Sequence, residues 1–203
     1  MEQETSQQFA ERMKSSPERA HKVKAEIIRV EKEYILSKEG EEGLNKVSER
    51  MKELGAELDF KKLDSQTWEE EWKNSLLIVV AKETFNWTDE DIFQMGRFSP
   101  RASFFIKSII QYLVSIDVVF NNVSNYWHKH HDFGDLEPVE INKEEKYIVI
   151  RKVGFRTHPI MCIYHAGYFK GVVEFVLRSD NINVDETKCM HKGDDYHEYR
   201  ITW

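Results

Sequence analysis

The sequence predicts an α+β protein: a helical N-terminal part packed on an antiparallel sheet whose C-terminal elements run in the order β-β-α-β-β. Three observations predict it. Before residue 130, long stretches repeat apolar residues at helical spacing. Beyond it, short runs alternate apolar with polar residues and are separated by turn residues. Between two pairs of such runs lies one stretch, 157–177, that is apolar nearly throughout.

The 203 residues suit one domain with a core of ordinary size, read as an N-terminal helical arm over 1–38 and a ligand-binding α+β domain over 39–203. A hydrophobic share of 40% against 32% charged marks a globular chain. The net charge of −7, with Lys and Arg interleaved among Glu, argues against a nucleic-acid surface. The longest apolar run, Ser75 to Ala81, is too short to span a membrane. A polar start and only two cysteines lead us to expect a cytoplasmic protein with reduced thiols.

Taken in order, residues 1–16 lack apolar periodicity and read as a frayed helix or a tail. From Pro17, apolar residues at Val23, Ile27, Val30 and Tyr34 give an amphipathic helix. That helix could pack on the body or pair with a second copy as a dimer arm. Gly40 and Gly43 interrupt it, and a helix with Leu44, Val47, Met51 and Leu54 on one face runs to Gly55. The stretch 67–85 is apolar all round at its centre and reads as a core helix. Thr88 caps a helix over 89–98. Ser99-Pro100 opens a long helix to about Tyr126. Residues 137–142 and 146–153 flank a polar turn and read as a hairpin, and Thr157 with Pro159 begins the helix to Leu177. Two strands around "HKGDD" end the chain.

In the last strand a period of two puts His197, Tyr199, Ile201 and Trp203 on one apolar face. An inward imidazole needs a partner. Cys189 precedes the turn at Gly193-Asp194, Glu186 shares an apolar strand face with Val184 and Ile182, and Cys162 lies early in the helix that covers the sheet. Cys162, Glu186, Cys189 and His197 form a set of the kind zinc takes in a closed structural site. Glu186 and Cys189 are three apart, so the strand must end or kink at Lys188. The plainer alternative is a buried small cysteine and a histidine bonded to a carbonyl.

The runs "PIMCIYHAGYFKGVVEFVL" and "VDETKCMHKGDDYHEYRI" resemble the 4-vinyl-reductase domain over roughly residues 136–203. The resemblance implies a small-molecule-binding domain like the sensory part of phenol-responsive bacterial activators. It also implies zinc held by Cys162, Glu186, Cys189 and His197, with His197 where that family has cysteine. A more distant similarity is to the haem-based nitric-oxide sensor domain, which shares the helices-then-sheet order. There the position matching the haem-bearing histidine is Phe120, in "LVSIDVVFNNV", and the Tyr-x-Ser-x-Arg motif is missing. Haem is therefore not expected.

The many aromatics fill a core, and some could line a cavity for an apolar or aromatic ligand: Tyr112, Phe120, Trp127, Phe133, Tyr147, Tyr164 and Tyr168 are the candidates. His128, His130 and His131 fit a solvated helix end better than a second metal site. "GDD" fits a turn. No dinucleotide or phosphate-loop fingerprint is present, and no nucleophile–base–acid set is visible. The expectation is a cytoplasmic, non-enzymatic sensor with zinc and an apolar pocket, acting through a signalling partner or as a homodimer. The alternatives are a haem-type gas sensor or an enzyme of tetrapyrrole metabolism.

Overall fold

The structure, a computed structural model, describes residues 4–102, 115–179 and 181–203. Among them α1 (Ser6–Met13), β1 (Lys22–Lys24), α2 (Ala25–Glu53), β2 (Trp68–Glu70), α3 (Glu71–Phe85) and α4 (Asp89–Ala102) make the helical part. Then come α5 (Ile116–Asn121), α6 (Val123–His130), β3 (Asp135–Asn142), β4 (Tyr147–Val153), α7 (Ile160–Leu177), β5 (Asn183–Lys188) and β6 (His197–Thr202). The predicted α+β class and the β-β-α-β-β order are as observed. The last four strands form one antiparallel sheet in the order β3-β4-β6-β5, and β1 pairs with β2 in a small ribbon.

Of the two readings of the N-terminus the helix holds, and it is capped: residues 6–13. Thr5 accepts from the Gln8 amide while the Gln8 side chain accepts from the Thr5 amide, a reciprocal box that closes two orphan donors. Phe9 and Met13 are fully buried, as are Val23, Ile28 and Ile35, in the same core as α3 and the sheet. The helix expected from Pro17 begins only at Ala25, because Lys22–Lys24 pairs with β2. Gly40 breaks α2 as foreseen, at a φ of 68° that favours glycine.

In the middle, α4 runs through Pro100 to Ala102, so Ser99-Pro100 is not a helix start. The rest of the expected long helix falls partly outside the described residues and resumes as two short helices, α5 and α6, that meet at Asn122.

Helix α7 covers the inner face of the sheet and crosses α4 at backbone contact. A Cβ on Gly96 would lie 2.0 Å from the Tyr164 carbonyl, and one on Gly167 2.0 Å from that of Phe93. The inner sheet face carries Ile148, Ile150 and Lys152 on β4, facing His197, Tyr199 and Ile201 on β6, by the pleat's period of two. Thr157 does not cap α7; its hydroxyl bonds Ser75, and Pro159 takes the cap position. Helix α7 is long and apolar enough to cross a membrane, yet 56% of it is buried within the fold, as suits a core helix.

Candidate functional site

Two places concentrate chemistry, and α7 touches both. The first is at the start of α7. Cys162 on α7, Glu186 on β5, Cys189 just beyond it and His197 on β6 bring one ligand atom each to within 4.8 Å of one another. Cys162 Sγ lies 3.7 Å from Cys189 Sγ and 3.6 Å from His197 Nδ1, and His197 Nδ1 is 3.0 Å from Glu186 Oε1. The kink required between Glu186 and Cys189 is a register shift between Glu186 and Lys188. The Gly193-Asp194 turn then returns the chain, with Asp194 accepting from the Cys189 amide at 2.8 Å.

His197 is preset within this cluster. Its Nε2 lies 3.0 Å from the Phe155 carbonyl, an acceptor, so Nε2 carries the proton and Nδ1 turns a lone pair to the other three groups. A lone pair 3.0 Å from a carboxylate oxygen needs a proton or a cation between them. Burial pushes the Cys162 thiol well above its ordinary range. Burial also pushes Glu186 up, but its neighbours His197 and Cys162 outweigh it and the carboxyl ends below its usual value.

The second place is a cavity of about 130 Å³ among α2, α5, α6 and α7. Ile27, Val30, Val119, Val123, Met161 and Val172 supply apolar wall. Three imidazoles, His130, His131 and His165, stand on it. His131 stacks flat on Trp127 with ring centroids 3.7 Å apart. Burial holds both His131 and His165 well below the usual histidine pKa, and Lys152 adds to the effect at His165. Both rings are thus neutral and able to present a nitrogen to a ligand.

One end of the cavity is polar. Asn74, Ser99 and Tyr164 line it, and Asn74 Oδ1 has no hydrogen-bond partner among the described residues. Behind them sit two carboxyls, Glu31 and Glu71, 1% and 0% exposed. Burial raises Glu71 to about 8, against the opposing hydrogen bonds from Ser75 and Asn74. Burial and then the nearness of Glu71 raise Glu31 well above the carboxylate range. Lys152, on the inner face of β4, is wholly buried. Its Nζ is 2.7 Å from His165 Nδ1 and 4.0 Å from the centre of the Phe155 ring. Burial lowers it to about 8, with Cys162, Glu186 and Glu71 opposing the fall.

Of the expected pocket residues, Trp127, Tyr164 and Tyr168 line the cavity. Phe120 and Phe133 are buried in the core and are not among the lining residues. Tyr147 is a correction: the pleat turns it to the outer face, where the Arg200 guanidinium stacks 3.5 Å from its ring centre. Tyr112 lies outside the described residues. His131 also departs from expectation. It is buried, not solvated, because it bridges to Val23 and packs on Trp127. His165, Lys152, Asn74, Glu31 and Glu71 were not singled out. Only Lys152 had a plain signal, since alternation from Ile148 and Ile150 puts it inward.

No sequence family profile matches the chain, and no curated protein does. Solved structures do match. The fold is that of an H-NOX protein from S. oneidensis described in its Fe(II)NO ligation state, at 14% identity and TM-score 0.68, covering 88% of this chain and 97% of that one. It is likewise that of an oxygen-binding H-NOX domain related to soluble guanylate cyclases, at 15% identity and TM-score 0.62, covering 88% and 94%. A third, described in a study of heme distortion in the H-NOX family, has TM-score 0.64 at 14% identity and covers 89% and 94%.

These neighbours overturn the expectation of a zinc-centred sensor of the 4-vinyl-reductase kind with haem excluded. The architecture is that of solved structures described as H-NOX domains. The case against haem rested on Phe120 and on the missing Tyr-x-Ser-x-Arg motif; Phe120 is not on the cavity wall, and three histidines are.

Proposed function

We propose that this chain is a sensor domain whose cavity takes haem, and through it a small gas, and that it is not itself an enzyme. The observation that carries the reading is the wall of neutral imidazoles around an apolar cavity, in a fold whose solved examples are described with haem ligation. The donor set fits the group: a haem iron takes an axial histidine, and the macrocycle takes apolar faces. His131 is the best placed ligand. Its Nδ1 lies 3.4 Å from the Trp127 carbonyl, which keeps the proton on Nδ1 and the lone pair on Nε2. Bound haem would supply a metal that coordinates a diatomic.

The residues of the chain do the rest. Trp127 and Phe155 hold His131 in place through ring contacts, and the apolar wall excludes water. A void of about 130 Å³ resembles the ~150 Å³ that holds benzene and is smaller than the roughly 300 Å³ of drug-sized pockets. Loading must therefore widen the cavity, and that widening is a movement a signalling partner or a second copy could read. Titrating the chain with haemin tests the proposal. A one-to-one complex with a shifted Soret band, weakened by His131→Ala, is expected. A spectrum that stays that of free haemin at every ratio would defeat it.

We also propose that Cys162, Glu186, Cys189 and His197 hold one divalent transition-metal ion that ties α7 to the β5–β6 hairpin. The four converging ligand atoms and the preset His197 tautomer favour it. Cobalt(II) is the probe: thiolate-to-metal absorption at one equivalent is expected, and Cys189→Ser should abolish most of it. A featureless titration of the parent chain would remove the site.

A further inference from the structure

We propose that the polar end of the cavity, in the chain without haem, binds the ammonium group of a small primary amine, with Glu31 as counter-ion and Asn74 as a neutral acceptor. The groups enclosed there are short of donors. Asn74 lines the cavity and is 1% exposed. Its Nδ2 donates to Glu71 at 3.1 Å, which turns Oδ1 away from that carboxyl, and Oδ1 has no hydrogen-bond partner among the described residues. Glu31 follows Val30, a residue of the cavity wall, and is also 1% exposed. Its carboxyl oxygens meet no donor among the described residues beyond the Tyr164 hydroxyl. Buried acceptors left without donors are costly, and a ligand that supplies donors relieves that cost.

The two carboxyls differ in what faces them. Glu71 receives Ser75 and Asn74, and Lys152 is near enough to oppose the rise in its pKa. Glu31 faces Glu71 from α3 and the Tyr164 hydroxyl from α7, and no cation among the described residues. The charge that is missing is therefore the partner of Glu31. An ammonium brings three N–H donors and no lone pair, whereas a hydroxyl brings one donor and two further lone pairs to an end already rich in them. The rest of the cavity suits the body of an amine. Its wall is apolar, and the rings of Trp127, Tyr164, Tyr168 and Phe169 line it, with faces that favour a cation. At about 130 Å³, against the ~150 Å³ that holds benzene, it limits the ligand to roughly the size of benzene. On binding, the Glu31 carboxyl gives its proton to solvent and its carboxylate stays beside the ammonium.

This site goes beyond the haem reading and does not rest on it: it uses the cavity at its present size, and titration with haemin decides that reading separately. Calorimetric titration of the haem-free chain at neutral pH tests the proposal. The probe is isoamylamine, with as many heavy atoms as benzene, and the control is isoamyl alcohol, of the same size. The amine should bind roughly tenfold or more tighter than the alcohol, as a charge-assisted hydrogen bond implies. Repeating the titration in buffers of different ionisation heat should show about one proton released per amine and none per alcohol. Glu31→Gln should weaken the amine by roughly tenfold and leave the alcohol within about twofold, which also shows that the cavity is intact. An amine that binds no tighter than the alcohol, binds without proton release, or is unaffected by Glu31→Gln overturns the proposal. The comparison of amine with alcohol needs no variant and decides the matter even if Glu31→Gln fails to fold.

Discussion

Glu71 is a wholly buried carboxyl, and its proton makes stability depend on pH. Its folded pKa, about 8, lies above the ~4.3 of a free glutamate, so between those values the folded chain keeps a proton that the unfolded chain gives up. The stability this contributes is complete below about pH 4 and is lost as pH rises through 8. Glu31 acts in the same direction. Urea midpoints are therefore expected to fall from pH 5 to pH 8, and Glu71→Gln should flatten that fall; equal slopes in parent and variant would refute the assignment. Neither carboxyl was legible in advance. Glu31 and Glu71 occupy acidic stretches that read as solvated helix faces, and only the meeting of α2, α3 and α7 encloses them. The cluster of Cys162, Glu186, Cys189 and His197 was legible as a group of neighbours, because period-two alternation places His197 and Glu186 inward and the three-residue spacing to Cys189 demanded the break found before Lys188. The cavity histidines were not, since the end of α6 looks like a cationic helix terminus until β1 is laid against it.

Helices α4 and α7 meet through glycine, and their contact is the tightest in the molecule among the described residues. Gly167→Ala would gain about 0.5–1 kcal/mol of helix propensity. It would also drive a methyl into the Phe93 carbonyl, and overpacking of this kind costs ~1–3 kcal/mol. A net loss is expected in chemical denaturation; a stabilised variant would show that the helices can slide apart freely. This is also why the element order could be read ahead of time and the crossing could not. Glycines at 96, 167 and 171 look like helix weaknesses when α4 and α7 are viewed singly. They make sense only as a pair of backbones in contact.

At the scale of the whole molecule, the N-terminal segment is part of the core. Phe9 and Met13 are 0% exposed, packed with α3 in the common core. We propose that residues 1–38 fold with 39–203 as one cooperative unit. Phe9→Ala should cost ~3–5 kcal/mol, and the single transition should shift without splitting in two. A separate early transition would instead mark an independent arm. The Thr5–Gln8 box is short and polar, and without the core into which Phe9 packs it gives no reason to order the chain.

The sheet ends on β3, where Pro138 and a register shift before Glu140 interrupt the ladder and Val139 is 43% exposed. An intruding strand laid along that border would find no amide at the proline and a broken repeat beside it. Backbone zippering between neighbours is thereby discouraged on this flank, even at crowded cellular concentrations. A second copy would have to dock on another face or on the opposite border, β5.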